Sequence, residues 1–261
     1  MTRWWARSWV WAAAALLAVL VTAVATLPAA WLVPLVEQQT GGRVSLGDPQ
    51  GSVWQGSAFI GAASAAGEPL APLLPGRFRW RLSPLALVGR IDAELSNERA
   101  LAQPVTVRGS WHDWEVGAGA IALPAERLAA LGAPLNTVKP SGRMRLSWPA
   151  LSIERRPDGV NINGRMQLDM TEIASALSPV KPLGAYRMEF LWRGDAAHLT
   201  LGTRSGPLML EGAGDIVHGR LQFSGQAWAQ EGKEQSLAIL LNLLGQRRQL
   251  GSRSVIALEF K

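Results

Sequence analysis

Three histidines, His112, His198 and His218, are the side chains in this sequence best suited to move a proton or hold a metal near neutral pH. They stand far apart, and none has a second histidine or an H-E-x-x-H motif within a helical turn, the spacing that lets two imidazoles reach one zinc ion. His112-Asp113 offers half of a triad or zinc arrangement and no more. The chain has no cysteine, which removes thiolate nucleophiles, thiolate metal sites and disulfides together. G-x-S-x-G and G-x-x-x-x-G-K-[ST] are both missing, so neither a nucleophile elbow nor a phosphate cradle is written in the chain. Gly212-Ala213-Gly214 opens like a dinucleotide fingerprint, but Asp215-Ile216 runs toward a turn where a helix would have to begin. The carboxylates are scattered and single out no pair for glycoside chemistry. The expectation is therefore a protein without catalytic residues, cofactor-binding residues or metal ligands, and not an enzyme.

Composition narrows the alternatives. At 261 residues and 48% hydrophobic content the chain can bury a sizeable core. Its 26 basic and 20 acidic residues give a net charge of +6 that is thinly spread, with no basic run longer than Arg247-Arg248. Nucleic acid binding wants a concentrated basic patch, so it is not expected. Twelve tryptophans against one tyrosine, Tyr186, point to large apolar surfaces being filled or to membrane interfaces being marked.

The N-terminus carries the clearest membrane signal. No charged residue lies between Arg7 and Glu37, and residues 10–27 are almost wholly apolar. Trp4, Trp5, Trp9 and Trp11 stand at one end of this run and Trp31 at the other, about 30 Å along a helix from Trp11. Arg3 and Arg7 precede the run, so the positive-inside rule puts the N-terminus in the cytoplasm and the rest outside, which in a bacterium is the periplasm. A cleaved signal peptide fits the same residues, since Ala23-Val24-Ala25 is a small-x-small site. The apolar character continues through Trp31-Leu32-Val33, which favours the retained anchor. The chain thus divides into residues 1–36, a cytoplasmic tip and transmembrane helix, and residues 37–261, one continuous periplasmic domain.

Beyond Pro34 the apolar period changes to two. In Arg77-Phe78-Arg79-Trp80-Arg81-Leu82 three arginines alternate with apolar side chains, as a strand with one buried and one cationic face requires. Residues 143–148, 186–192, 199–201, 208–211 and 221–223 alternate in the same way. Gly142-Arg143-Met144-Arg145-Leu146 recurs weakly as Gly164-Arg165-Met166-Gln167-Leu168 and Gly219-Arg220-Leu221-Gln222-Phe223, strands that each begin at a glycine. Asp158-Gly159 and Gly194-Asp195 are expected hairpin turns. Short helices are expected over 125–131, with Pro124 before and Gly132 after, over 171–178, stopped by Pro179, and over 236–244, with Gly245 as its C-cap. In the last of these Leu237, Leu240, Leu241 and Leu244 share one face, as a helix covering one end of a sheet would have. Residues 64–76, with three prolines and two glycines, read as a loop.

Gly51-Ser52-Val53-Trp54-Gln55-Gly56, soon after the span, is expected to be a strand whose Trp54 plugs the sheet's apolar face, with the glycines allowing close backbone approach. Together with Arg79-Trp80-Arg81-Leu82-Ser83-Pro84-Leu85-Ala86-Leu87-Val88-Gly89, it resembles the type II secretion system protein N family (general secretion pathway protein N). Residues 142–148, 182–186, 205–212 and the terminal 240–245 and 255–260 agree in order, so the similarity covers nearly the whole chain. The resemblance implies a mainly β protein: an N-terminal transmembrane helix followed by a twisted antiparallel β-sheet domain with a few short helices. It implies a single-pass protein of the bacterial inner membrane, an accessory component of the platform that exports folded proteins across the outer membrane. Its partners would be other inner-membrane platform components and the inner membrane, reached through protein-protein contacts with a strand edge as the expected route. The family also looks akin to AsmA-like β-sheet proteins, which makes a lipid-contacting sheet the alternative.

Overall fold

The computed structural model describes residues 3–42, 44–62, 71–131, 135–157, 159–250 and 253–260. The expected loop residues 64–70, the turn residue Asp158 and the helix-terminating Gly132 lie outside them, as do the side chains of Arg3, Trp4, Trp5, Arg7 and Trp9.

The chain starts with α1 (Arg3–Ala25), passes Pro28 and a 3-10 turn (Ala29–Trp31), and continues as α2 (Leu32–Thr40). The apolar run is therefore broken at Pro28, whose extended backbone precedes the 3-10 turn. Among the described residues no helix is long and apolar enough to cross a membrane. α2 belongs to the body, where the Ser45 hydroxyl donates to Glu37 at 2.5 Å and Ala29 is buried.

Everything after α2 is built around one antiparallel sheet of 17 strands. β1 (Val44–Gly51) pairs with β2 (Gln55–Ala62), which also receives β3 (Ala71–Pro72) and β4 (Phe78–Leu82). The sheet continues through β5 (Arg90–Ser96), β6 (Val105–Ser110) and β7 (Asp113–Val116). β8 (Gly119–Pro124) pairs with β9 (Pro140–Trp148), and β10 (Leu151–Arg156) with β7. The 17 residues of β11 (Gly159–Ser175) reach both, pairing with β10 first and then β9. A meander of β12 (Gly184–Gly194), β13 (Ala196–Ser205), β14 (Leu208–Val217) and β15 (Arg220–Ala229) follows. α3 (Leu135–Val138) precedes β9, and α4 (Glu234–Leu244) leads to β16 (Gln246–Leu250) and β17 (Arg253–Phe260). β17 lies between β15 and β16.

The period-two pattern does place one apolar face. In β4 Phe78 is buried and Trp80 half-buried, while Arg79 and Arg81 are exposed. The arginines of the opposite face meet nearby carboxylates, as Arg79 meets Glu98 in the turn after β5 at 2.9 Å and Arg187 meets Asp169 of β11 at 2.7 Å. Desolvation pulls the Asp169 carboxyl up, but hydrogen bonds from Gln167 and Arg187 and the Arg187 and Arg204 charges prevail and hold it below the usual aspartate range.

On the apolar face four tryptophans each stand directly across from a glycine: Trp80 from Gly56, Trp114 from Gly109, Trp148 from Gly119 and Trp192 from Gly164. At Gly56 and Gly119 the missing side chain leaves room for the neighbouring indole to lie over the strand. A Cβ on Gly119 would stand 2.7 Å from the Trp148 ring. Two apolar centres result. One gathers Phe78, Leu101 and Val105 with Ile121 and Trp148; the other gathers Leu199, Leu208, Phe223, Ile256 and Leu258 under Leu237, Leu240 and Leu241 of α4. The latter is the amphipathic helix expected over 236–244, except that Gly245 is extended (φ 169°) and forms no left-handed cap.

Residues 125–131 form the expected short helix as a 3-10 turn. The helix expected over 171–178 is absent, because β11 runs on to Ser175. Strands pair with it on both sides, which satisfies the backbone groups a helix would satisfy internally. The register shifts at 170–173, where Glu172 takes φ 55°, and this bulge turns Ala174 and Ser175 into the core.

Candidate functional site

The residues suited to chemistry are not brought together. His198 Nδ1 lies 2.9 Å from Asp215 Oδ1 and His218 Nε2 lies 3.1 Å from Asp195 Oδ2, both pairs largely exposed at the same end of the β13–β14 ladder. His112 is exposed in the β6–β7 turn, where its carbonyl accepts the Arg155 N–H. Among the described residues no three His, Asp or Glu side chains gather as metal ligands would. Burial raises the Tyr186 phenol above its ordinary pKa, and its O–H donates to the Leu208 carbonyl at 3.0 Å, a structural bond between β12 and β14.

Trp54 is not in a strand. It sits in the turn between β1 and β2, and the tryptophan that fills the apolar face beside it is Trp80. Gly51 does turn the chain (φ 83°), and Gly56 does admit a close approach, since a Cβ there would stand 2.7 Å from the Ser52 carbonyl. The turn redirects Trp54 toward α1, where its Nε1–H donates to the Val24 carbonyl at 2.7 Å. Val24 is in the last turn of α1, whose carbonyls have no partner within the helix. The Val53 N–H donates to Leu27, Trp80 Nε1 to the Val53 carbonyl at 3.0 Å, and the Leu82 N–H to the Trp54 carbonyl. The helix is thus held to the sheet by one turn. Trp54→Ala is expected to lower stability by about 1–2 kcal/mol, one hydrogen bond plus part of an indole. Hydrogen exchange should show faster amides at 24–27 with the β11–β14 amides unchanged.

Among the described residues four strands pair with one other strand only, β1, β3, β8 and β16; β3 is two residues long, and β8 is covered by the 100–102 segment, where the Ala122 N–H donates to the Ala100 carbonyl and the Ala102 N–H to the Ala120 carbonyl. β1 is blunted by Pro49 and a bulge between Gly47 and Gln50, and α2 lies beside it. β16 pairs only with β17 and has no such protection among the described residues. The helix just before it keeps Ile239 and Leu243 exposed while Leu237, Leu240 and Leu241 are buried. A free strand edge next to an exposed apolar helix face offers backbone donors and acceptors together with side-chain anchors. The sequence led to the expectation of a strand edge as the contact route without naming the strand, and Gln246-Arg247-Arg248-Gln249 has no apolar alternation to mark β16.

A family model described as type II secretion system (T2SS), protein N, matches residues 42–255. The chain belongs to this family. The match runs from just before the first strand of the sheet into β17. Membership ties the chain to type II secretion and so to protein transport. No curated protein and no solved structure matches it.

Proposed function

We propose that this protein is an accessory component of the type II secretion platform, tethered to the inner membrane by α1 with its sheet in the periplasm. It works there by contact, without turning over a substrate. The observation that carries the reading is the single-partnered β16 edge beside exposed Ile239 and Leu243 in a T2SS protein N chain. The tether is supported by the uncharged, largely apolar stretch between Arg7 and Glu37, most of which lies in α1. Leu16 (71% exposed) and its neighbours have no protein cover, and the Thr22 hydroxyl is satisfied within the helix by the Ala18 carbonyl at 2.8 Å. Alkaline extraction of membranes tests the tether: a chain released with the soluble fraction would refute it.

Alternate residues of an edge strand point their N–H groups inward and outward. Of Arg248→Pro and Gln249→Pro, one therefore removes a bond to β17 and the other a donor on the free edge. The outward variant is expected to keep its melting temperature and lose copurification with platform components from detergent-solubilised membranes. Full copurification of both variants would refute edge pairing.

The second reading, lipid contact by the apolar face, has a specific observation in its favour. A cavity of about 550 Å³ opens beside Trp148, Met166, Phe190 and Leu191, apolar side chains that an acyl chain would fit against. Native mass spectrometry of the detergent-purified chain distinguishes the two, since a retained lipid supports this reading and a bare chain removes it.

A further inference from the structure

The hairpin turns at 51–55, 82–90, 110–113, 156–159, 194–196 and 217–220 all lie on one rim of the sheet, because each joins strands that end in register with the next. The first of these turns holds the end of α1 through Trp54. The rim is apolar in an unusual way. The second turn is a 3-10 segment (Pro84–Val88), capped by Ser83 and closed by Gly89 at φ 90°, which projects Leu85, Leu87 and Val88, the last 77% exposed. Trp111 from the third turn lies beside it, 52% exposed, its Nε1–H donating to the Ala86 carbonyl at 2.7 Å. Val160, Val217 and Leu221 extend exposed apolar surface along the same rim. Elsewhere on the strands and turns of the sheet, among the described residues, the only large apolar side chain so exposed is Phe59, which carries the Arg77 guanidinium 4.6 Å from its ring.

Exposed arginines accompany these side chains. Arg90, Arg155, Arg193 and Arg220 lie on the rim without an ion pair among the described residues. A notch of about 360 Å³ opens between Trp111, His112, Arg155, Arg156 and Pro157. Aliphatic side chains and an indole held outward among unpaired cations are what the headgroup region of an anionic bilayer accommodates, the apolar groups entering the acyl boundary and the guanidinium groups meeting phosphates.

We propose that this rim rests on the bilayer surface, with Leu85, Leu87, Val88 and Trp111 inserted at the interface and the arginines on anionic headgroups. The inference rests on the membrane-tethered reading above, and adds to it a second contact that orients the sheet upright beside α1. It is tested on the full chain in nanodiscs of phosphatidylcholine and phosphatidylglycerol. The chain has no cysteine, so single variants Val88→Cys, Ser205→Cys on the opposite rim and Leu16→Cys in α1 each take an environment-sensitive fluorophore at one place. With spin-labelled lipid present, the labels at 16 and 88 are expected to be strongly quenched and the label at 205 unquenched. Quenching at 16 without quenching at 88 overturns the rim contact and leaves the tether standing. Quenching at 88 alone supports the rim contact and overturns the tether, whereas equal quenching at 88 and 205, or none at either, overturns the rim contact.

Discussion

Leu237→Ala is expected to destabilise the protein by about 2–5 kcal/mol, the range for emptying a fully buried leucine site. Leu237 is 0% exposed and belongs to the cluster that joins α4 to Leu199, Leu208, Phe223, Ile256 and Leu258. Those residues come from β13, β14, β15 and β17, so one side chain fastens the helix over the strands that carry β16. α4 has no side-chain cap at its N-terminus and no left-handed glycine at its C-terminus. Its place therefore depends on that packing more than on its own propensity. Urea unfolding of the detergent-solubilised chain measures the loss, and Ile239→Ala on the exposed face of the same helix should change it by less than about 0.5 kcal/mol.

Gly206→Ala is the second large effect, expected to cost about 3 kcal/mol or more. Gly206 has φ 121° in the turn between β13 and β14, a region that L side chains rarely adopt. A Cβ there would stand 2.6 Å from the Leu183 carbonyl oxygen and 3.0 Å from the Gly184 nitrogen. Both neighbours are backbone, and Leu183 is itself held by a hydrogen bond from the Leu208 N–H at 3.0 Å, so neither can give way cheaply. Gly202 provides the comparison, being extended with nothing within 4 Å of its would-be Cβ. A thermal melt in which Gly206→Ala and Gly202→Ala behaved alike would refute this account of the turn.

The strands legible in the sequence were those whose apolar face is made of large side chains. Phe78, Trp80 and Leu82 alternate with arginines, and Tyr186, Met188 and Phe190 alternate with polar residues, so β4 and β12 announced themselves. β2 did not, because its inward positions are Gly56, Ala58, Ile60 and Ala62, and the bulk that fills the space above Gly56 belongs to Trp80, 24 residues later. The same division between a glycine and a distant indole hid part of β8, whose Gly119 lies under Trp148. Trp54 was misplaced for a related reason: a tryptophan flanked by glycines satisfies both a strand and a turn, and only the position of Val24 decides between them. The β16 edge was illegible because being unpaired is a property of the whole sheet, visible only after every other strand has found its neighbours.

β16 touches the sheet only through β17, which lies between it and β15. While a nascent chain is still emerging, β15 has one neighbour missing and β16 has nothing to lie against until residues 253–260 arrive. The β16 edge is thus in place only once the strand that follows it in the chain has joined the sheet.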